Sequence, residues 1–127
     1  MRRALELADH GKFKVSPNPR VGCIIVYKNK IIGEGFHQQY GEAHAEVNAI
    51  NSVRNKALLK EAKAYVTLEP CTHFGKTPPC VDLLIQHQIP RVVIATADPF
   101  KKVNGEGIEK LKAHGVNVIL GVCEMEA

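Results

Sequence analysis

Between Arg2 and His10 the apolar positions Ala4, Leu5 and Ala8 share one helical face, and Gly11 ends the run. The stretch KVSPNPRVG that follows is too rich in proline and glycine for regular structure. Val21–Tyr27 is continuously apolar and β-branched, as a buried strand is, and the turn KNK leads into a second strand over Ile31–His37, which predicts a hairpin. Gly33 and Gly35 weaken that second strand and point to a bulge or to the close approach of another segment.

Helical spacing returns over Ala43–Val53, where Val47, Ile50 and Val53 lie three apart with Ala49 beside them. Leu58–Ala62 continues this helix or forms a further turn. Ala64–Leu68 reads as a strand. Thr77 is placed to cap a helix whose first positions are Pro78 and Pro79, where a missing N–H does no harm, with Val81, Leu84 and Ile85 as its apolar face. Arg91–Thr96 reads as a strand, DPFKKVNG as a loop, Glu106–His114 as a helix and Val116–Leu120 as a last strand. After the opening helix and hairpin, strands and helices alternate, so the pattern predicts a three-layer α/β sandwich of five strands with some parallel pairing.

At 127 residues the chain is expected to be one domain, residues 1–127, and 45% hydrophobic with 24% charged residues is enough for a core without disulfides. No charged-then-apolar leader is visible at Met1, and the longest apolar run is too short to cross a bilayer. A soluble, cytoplasmic protein with no membrane partner is the expectation, and there clustered Cys and His favour a metal or catalysis over a disulfide. The formal charge of +4 is spread out, and its densest group, Arg54, Lys56, Lys60 and Lys63 around Glu61, reads as a solvated helix face. With no Trp, little offers a stacking platform, so no nucleic-acid partner is expected and an anionic small molecule suits the charge.

Two stretches carry the chemistry. GEAHAEVNAI holds His44 and Glu46, and EPCTHFGKTPPC holds Cys71 and Cys80, each thiol preceded by proline. Both lie at strand-to-helix transitions, so the helix N-termini can converge at one end of the sheet, where negative charge is favoured and thiolate pKa lowered. One His and two Cys make three ligands. A structural zinc site closes with four, whereas a catalytic one leaves a position for water. The expected cofactor is therefore a catalytic Zn²⁺ on His44, Cys71 and Cys80, with Glu46 as the proton shuttle. H-x-E followed by P-C…C is the signature of zinc-dependent base deaminases, although here eight residues separate the cysteines rather than two.

Across SPNPRVG, IIGEGFHQQYGEAHAEVNAI, VTLEPCTHFGKTPPC and DPFKKVNGEGI, nearly the whole chain resembles the pyrimidine deaminase domain of riboflavin biosynthesis. The resemblance implies a cytidine-deaminase-like α/β/α sandwich with a mixed five-stranded sheet. It implies hydrolytic loss of ammonia from 2,5-diamino-6-ribosylamino-4(3H)-pyrimidinone 5′-phosphate. It gives the same zinc ligands and the same role for Glu46, places Asn18 and His37 at the pyrimidine and His73 and Lys76 near the ribose phosphate, and sets Asp98 at the substrate rim. A homo-oligomer is expected, with an NADPH-dependent reductase either fused or separate. Many relatives continue into that reductase, and this chain reads as a piece excised before it. Many also read D-P-N where this chain has Phe100, with Asn104 near enough to substitute.

Plainer readings stand beside these. His44, Cys71 and Cys80 could be packed core groups, and Glu46 a first-turn glutamate favoured by the helix dipole. His73 and Lys76 could decorate an exposed loop. Turn chemistry explains Asn18 and Asp98, and a His ending a strand is often a satisfied polar group. Cys23 reads as a small core residue, and Cys123 as incidental and open to oxidation. Two other functions compete: a zinc deaminase of free bases, nucleosides or tRNA, and a non-catalytic zinc-stabilised binding module.

Overall fold

The computed structural model describes residues 1–9, 21–37, 44–70, 79–96 and 105–121. The elements run α1 (Arg2–Asp9), β1 (Gly22–Tyr27), β2 (Lys30–Phe36), α2 (Ala45–Ser52), a 3₁₀ turn (Lys56–Glu61), β3 (Lys63–Leu68), α3 (Cys80–Gln86), β4 (Arg91–Thr96), α4 (Glu106–Ala113) and β5 (Asn117–Leu120). The sheet order is β2-β1-β3-β4-β5. β1 runs antiparallel to both neighbours, while β3, β4 and β5 are parallel. It follows that β2 points the same way as β3, so the ends of β2, β3 and β4 and the start of β1 share one edge of the sheet.

Side chains alternate across β1 and divide the core. Cys23 and Ile25 join a main core with residues of α2, α3, α4 and the 3₁₀ turn, while Ile24 faces Ala4 and Leu7 of α1. Helices thus cover both faces, with α1 on one and α2, α3 and α4 on the other. Ile25, Ile50, Leu59, Leu84, Ile94 and Leu111 are fully buried, each contributing about 1.5–3 kcal/mol by leaving water.

The hairpin turn is Lys28–Asn29, both residues left-handed at φ 49° and 64°, as a two-residue type I′ connection requires. Both expectations for the glycines of β2 are met. The register steps from Ile25↔Gly33 to Val26↔Ile31, leaving Ile32 as the extra residue of a bulge. The close neighbour is α2: a Cβ on Gly35 would lie 2.4 Å from the Ala49 nitrogen and 2.5 Å from the Ala45 carbonyl oxygen.

Several details differ from the sequence pattern. The buried face of α1 is Ala4, Leu7 and Ala8, with Leu5 only half-buried, because the helix lies across β1, β2 and β3 instead of presenting a single narrow stripe. On α2 the buried positions are Ala45, Glu46, Ala49 and Ile50, and Val47 is half-buried, since the small residues are the ones set against β2. Pro79 is the cap of α3 in an extended conformation and not its first helical residue. The Leu58–Ala62 question resolves as the 3₁₀ turn, capped by the Asn55 side chain. Thr77, Pro78, Cys123 and the DPFKKVN part of the 98–105 loop lie outside the described residues.

Candidate active site

His44 is the residue before α2, extended at φ −72° and ψ 167°. Its ring is therefore free of the helical spacing that would set it on a different face from Glu46, and Glu46 follows in the first turn. Two contacts hold this end of α2 in place. The Asn48 side-chain amide donates to the Phe36 carbonyl at 2.9 Å, and the Asn48 N–H donates to the His44 carbonyl at 3.1 Å. Cys80 opens α3 and is fully buried. The two helices thus deliver an imidazole and a thiol to one point, with 3.4 Å between His44 Nδ1 and Cys80 Sγ.

That separation can be compared with what a shared metal would need. Zinc–sulfur and zinc–nitrogen bonds of about 2.3 and 2.0–2.1 Å at a tetrahedral angle put the two ligand atoms about 3.6 Å apart. The pair His44–Cys80 fits two corners of such a centre. Cys71 lies outside the described residues, and among those described no group of three metal-ligating side chains forms.

His37 follows β2, its N–H donating to the Val21 carbonyl at 3.0 Å. It is buried, and its ring meets that of His44 edge to face at 5.2 Å between centroids and 85° between planes. Glu46 is also buried. Burial pushes the Cys23 thiol well above its ordinary pKa, and the Glu46 carboxylate adds to the effect, so Cys23 stays a neutral packing group. The structure therefore gathers His37, His44, Glu46 and Cys80 around the strand-end edge, the position at which open α/β sheets bind ligands. Asn18, Cys71, His73, Lys76, Asp98, Phe100 and Asn104 lie outside the described residues.

Two polar groups at this edge, one half-buried and one buried, were not singled out from the sequence. Asn48 is one. The other is Glu69, whose carboxylate accepts from the backbone N–H groups of Gly105 at 2.9 Å and Gly107 at 2.8 Å. The partners are 36 and 38 residues away along the chain, so no local pattern signals the contact.

A family model described as the cytidine and deoxycytidylate deaminase zinc-binding region matches residues 1–96. The chain is 51% identical over 127 residues to the diaminohydroxyphosphoribosylamino-pyrimidine deaminase of Buchnera aphidicola subsp. Schizaphis graminum, covering 100% of this chain and 85% of that protein. It is 50% identical to the riboflavin biosynthesis protein RibD of Escherichia coli (strain K12), covering 100% of this chain and 34% of that one. The solved diaminohydroxyphosphoribosylaminopyrimidine deaminase/5-amino-6-(5-phosphoribosylamino)uracil reductase of Thermotoga maritima superposes with a TM-score of 0.92 at 52% identity, over 99% of this chain and 36% of that one. This chain thus spans about a third of the two longer relatives.

Proposed function

The chain belongs to the cytidine and deoxycytidylate deaminase family, in the branch of the riboflavin-biosynthesis pyrimidine deaminases, and on that premise we propose that it hydrolyses the 2-amino group of 2,5-diamino-6-ribosylamino-4(3H)-pyrimidinone 5′-phosphate to ammonia. The observation that carries the reading is the 3.4 Å approach of His44 Nδ1 to Cys80 Sγ at the strand-end edge. His44, Cys80 and Cys71 hold the zinc. When bound, the metal supplies Lewis-acid activation of water.

Glu46 manages the protons. It accepts one from the attacking water and passes it to the ring nitrogen beside the reacting carbon. A second transfer, to the departing amine, lets ammonia leave and the carbonyl form, so water and the amino-pyrimidine balance against product and ammonia. Burial of Glu46 suits this role, since a carboxylate screened from bulk water exchanges its proton with the substrate alone. Asn18 and His37 orient the pyrimidine, His73 and Lys76 hold the ribose phosphate, and Asp98 lines the rim. Residues 1–127 act in the cytoplasm as one deaminase domain within a homo-oligomer, with an NADPH-dependent reductase fused or separate.

The test pairs zinc content with ammonia release. Purified protein is expected to hold one zinc per chain and to release ammonia from the phosphorylated pyrimidine but not from cytosine, cytidine or a tRNA anticodon stem. Release from one of those instead, or zinc without any release, overturns the assignment.

A further inference from the structure

Glu69 is 4% exposed, and each carboxylate oxygen accepts one backbone N–H at the start of α4, Oε1 from Gly105 and Oε2 from Gly107. Gly105 caps α4 without a side chain of its own, so a residue from the end of β3 takes over the task. A carboxylate is the group best suited to it, because it meets the positive end of the helix with two charge-assisted hydrogen bonds. The backbone of Glu69 is engaged as well, its N–H donating to the Thr96 carbonyl at 3.0 Å.

These partners have a specific place in the chain. Thr96 and Gly105 flank residues 97–104, the stretch that carries Asp98, Phe100 and Asn104. One residue therefore binds both ends of that stretch. On its other side the same junction touches the neighbours of both cysteines. A Cβ on Gly107 would lie 2.5 Å from the Pro70 carbonyl oxygen and 3.2 Å from Val81 Cγ2. Pro70 immediately precedes Cys71, and Val81 immediately follows Cys80. Gly107, held by Glu69, thus sits between the Pro70 carbonyl and the Val81 side chain, one residue from each thiol in sequence.

We propose that Glu69 is a positioning residue: by clamping the start of α4 between Pro70 and Val81 it steadies the chain next to each thiol ligand, and it holds Thr96 and Gly105, the residues on either side of 97–104. It acts through those groups and does not touch the substrate. The inference rests on the reading of Cys71 and Cys80 as metal ligands.

Glu69→Gln keeps one acceptor but turns an NH₂ group towards a backbone N–H. Zinc affinity, read by competition with a chromogenic chelator, is expected to fall about tenfold, the loss typical of groups that orient metal ligands. KM at saturating zinc is expected to rise severalfold. Gly107→Ala approaches the clamp from the other side, pressing on the Pro70 carbonyl, and is expected to weaken zinc in the same direction. A third measurement needs no variant. Coupling between two sites is reciprocal, so stripping zinc from the parent protein is expected to speed hydrogen exchange at the Gly105 and Gly107 amides. Folded variants with parent-like zinc affinity and KM overturn the clamp, as does exchange at those two amides that ignores zinc. A parent protein that binds no zinc instead overturns the site assignment on which the clamp rests.

Discussion

At the level of single side chains, the approach of His44 to Cys80 depends on where their helices begin. His44 is extended and precedes α2, while Cys80 is the first residue of α3. That arrangement was legible in the sequence, because histidine and cysteine both fall at strand-to-helix transitions. Glu46 was singled out by its spacing from His44. Its replacement by Gln is expected to leave zinc bound and to lower turnover by about 10²–10⁴-fold, the usual worth of a general acid–base group; turnover close to the parent's removes Glu46 from the role. Glu69 escaped notice because its meaning comes only with folding: beside a Pro-Cys step it looks like spacing between ligands, and its partners lie on a distant helix.

A second residue-scale prediction concerns acid. Arg3 Nε and Nη2 meet the Glu34 carboxylate at 2.6 and 3.2 Å, and this bonding holds the Glu34 carboxyl below its ordinary pKa. A depressed folded pKa means that the stabilisation is fully present above the unfolded value of about 4.3. It is lost as pH falls through the lower folded value. The pair is only partly buried, so the effect is small. The difference in melting temperature between the parent and Glu34→Gln is expected to be present at neutral pH and to close in acid. A difference that stays constant across that range assigns the contribution to packing.

Among the elements, α2 shows how a weak strand can serve a site. Gly33 and Gly35 cost β2 its propensity, yet they let the backbone of α2 lie directly on the strand, and Asn48 then ties the helix to Phe36. Gly35→Ala drives a methyl into the Ala45 and Ala49 backbone, so the helix must lift. A loss of about 1–3 kcal/mol is expected in denaturant unfolding, as for overpacked cores generally. Because His44 caps α2 and Glu46 lies in its first turn, zinc retention is expected to fall with it; stability unchanged within error shows that the strand gives way instead. The strands were readable from β-branched runs, and their bounds moved by only a residue or so. The helix faces were less readable. Leu5 and Leu7 are equally apolar, and only the angle at which α1 crosses the sheet selects Leu7 for burial.

Taken whole, the molecule collects its chemistry on one edge because β2, β3 and β4 all end there, and the same order places α2 and α3 side by side. The alternation of elements announced this layering, but strand order was not in the pattern, since a hairpin followed by crossovers fits several sheets. A metal shared by ligands from both helices ties distant segments together and stabilises the native state by mass action. Chelating zinc is therefore expected to lower the melting temperature, and returning it to restore the transition; a melting curve indifferent to chelator removes the metal from the fold.

The Lys28–Asn29 turn closes the hairpin at the far end of β1 and β2 from Phe36 and Gly22. Six residues of strand put that tip about 20 Å from the edge where His37 and His44 meet. A fluorophore or a short tether grafted there would report on the protein, or fasten it to a support, while leaving the opposite rim open to whatever it admits.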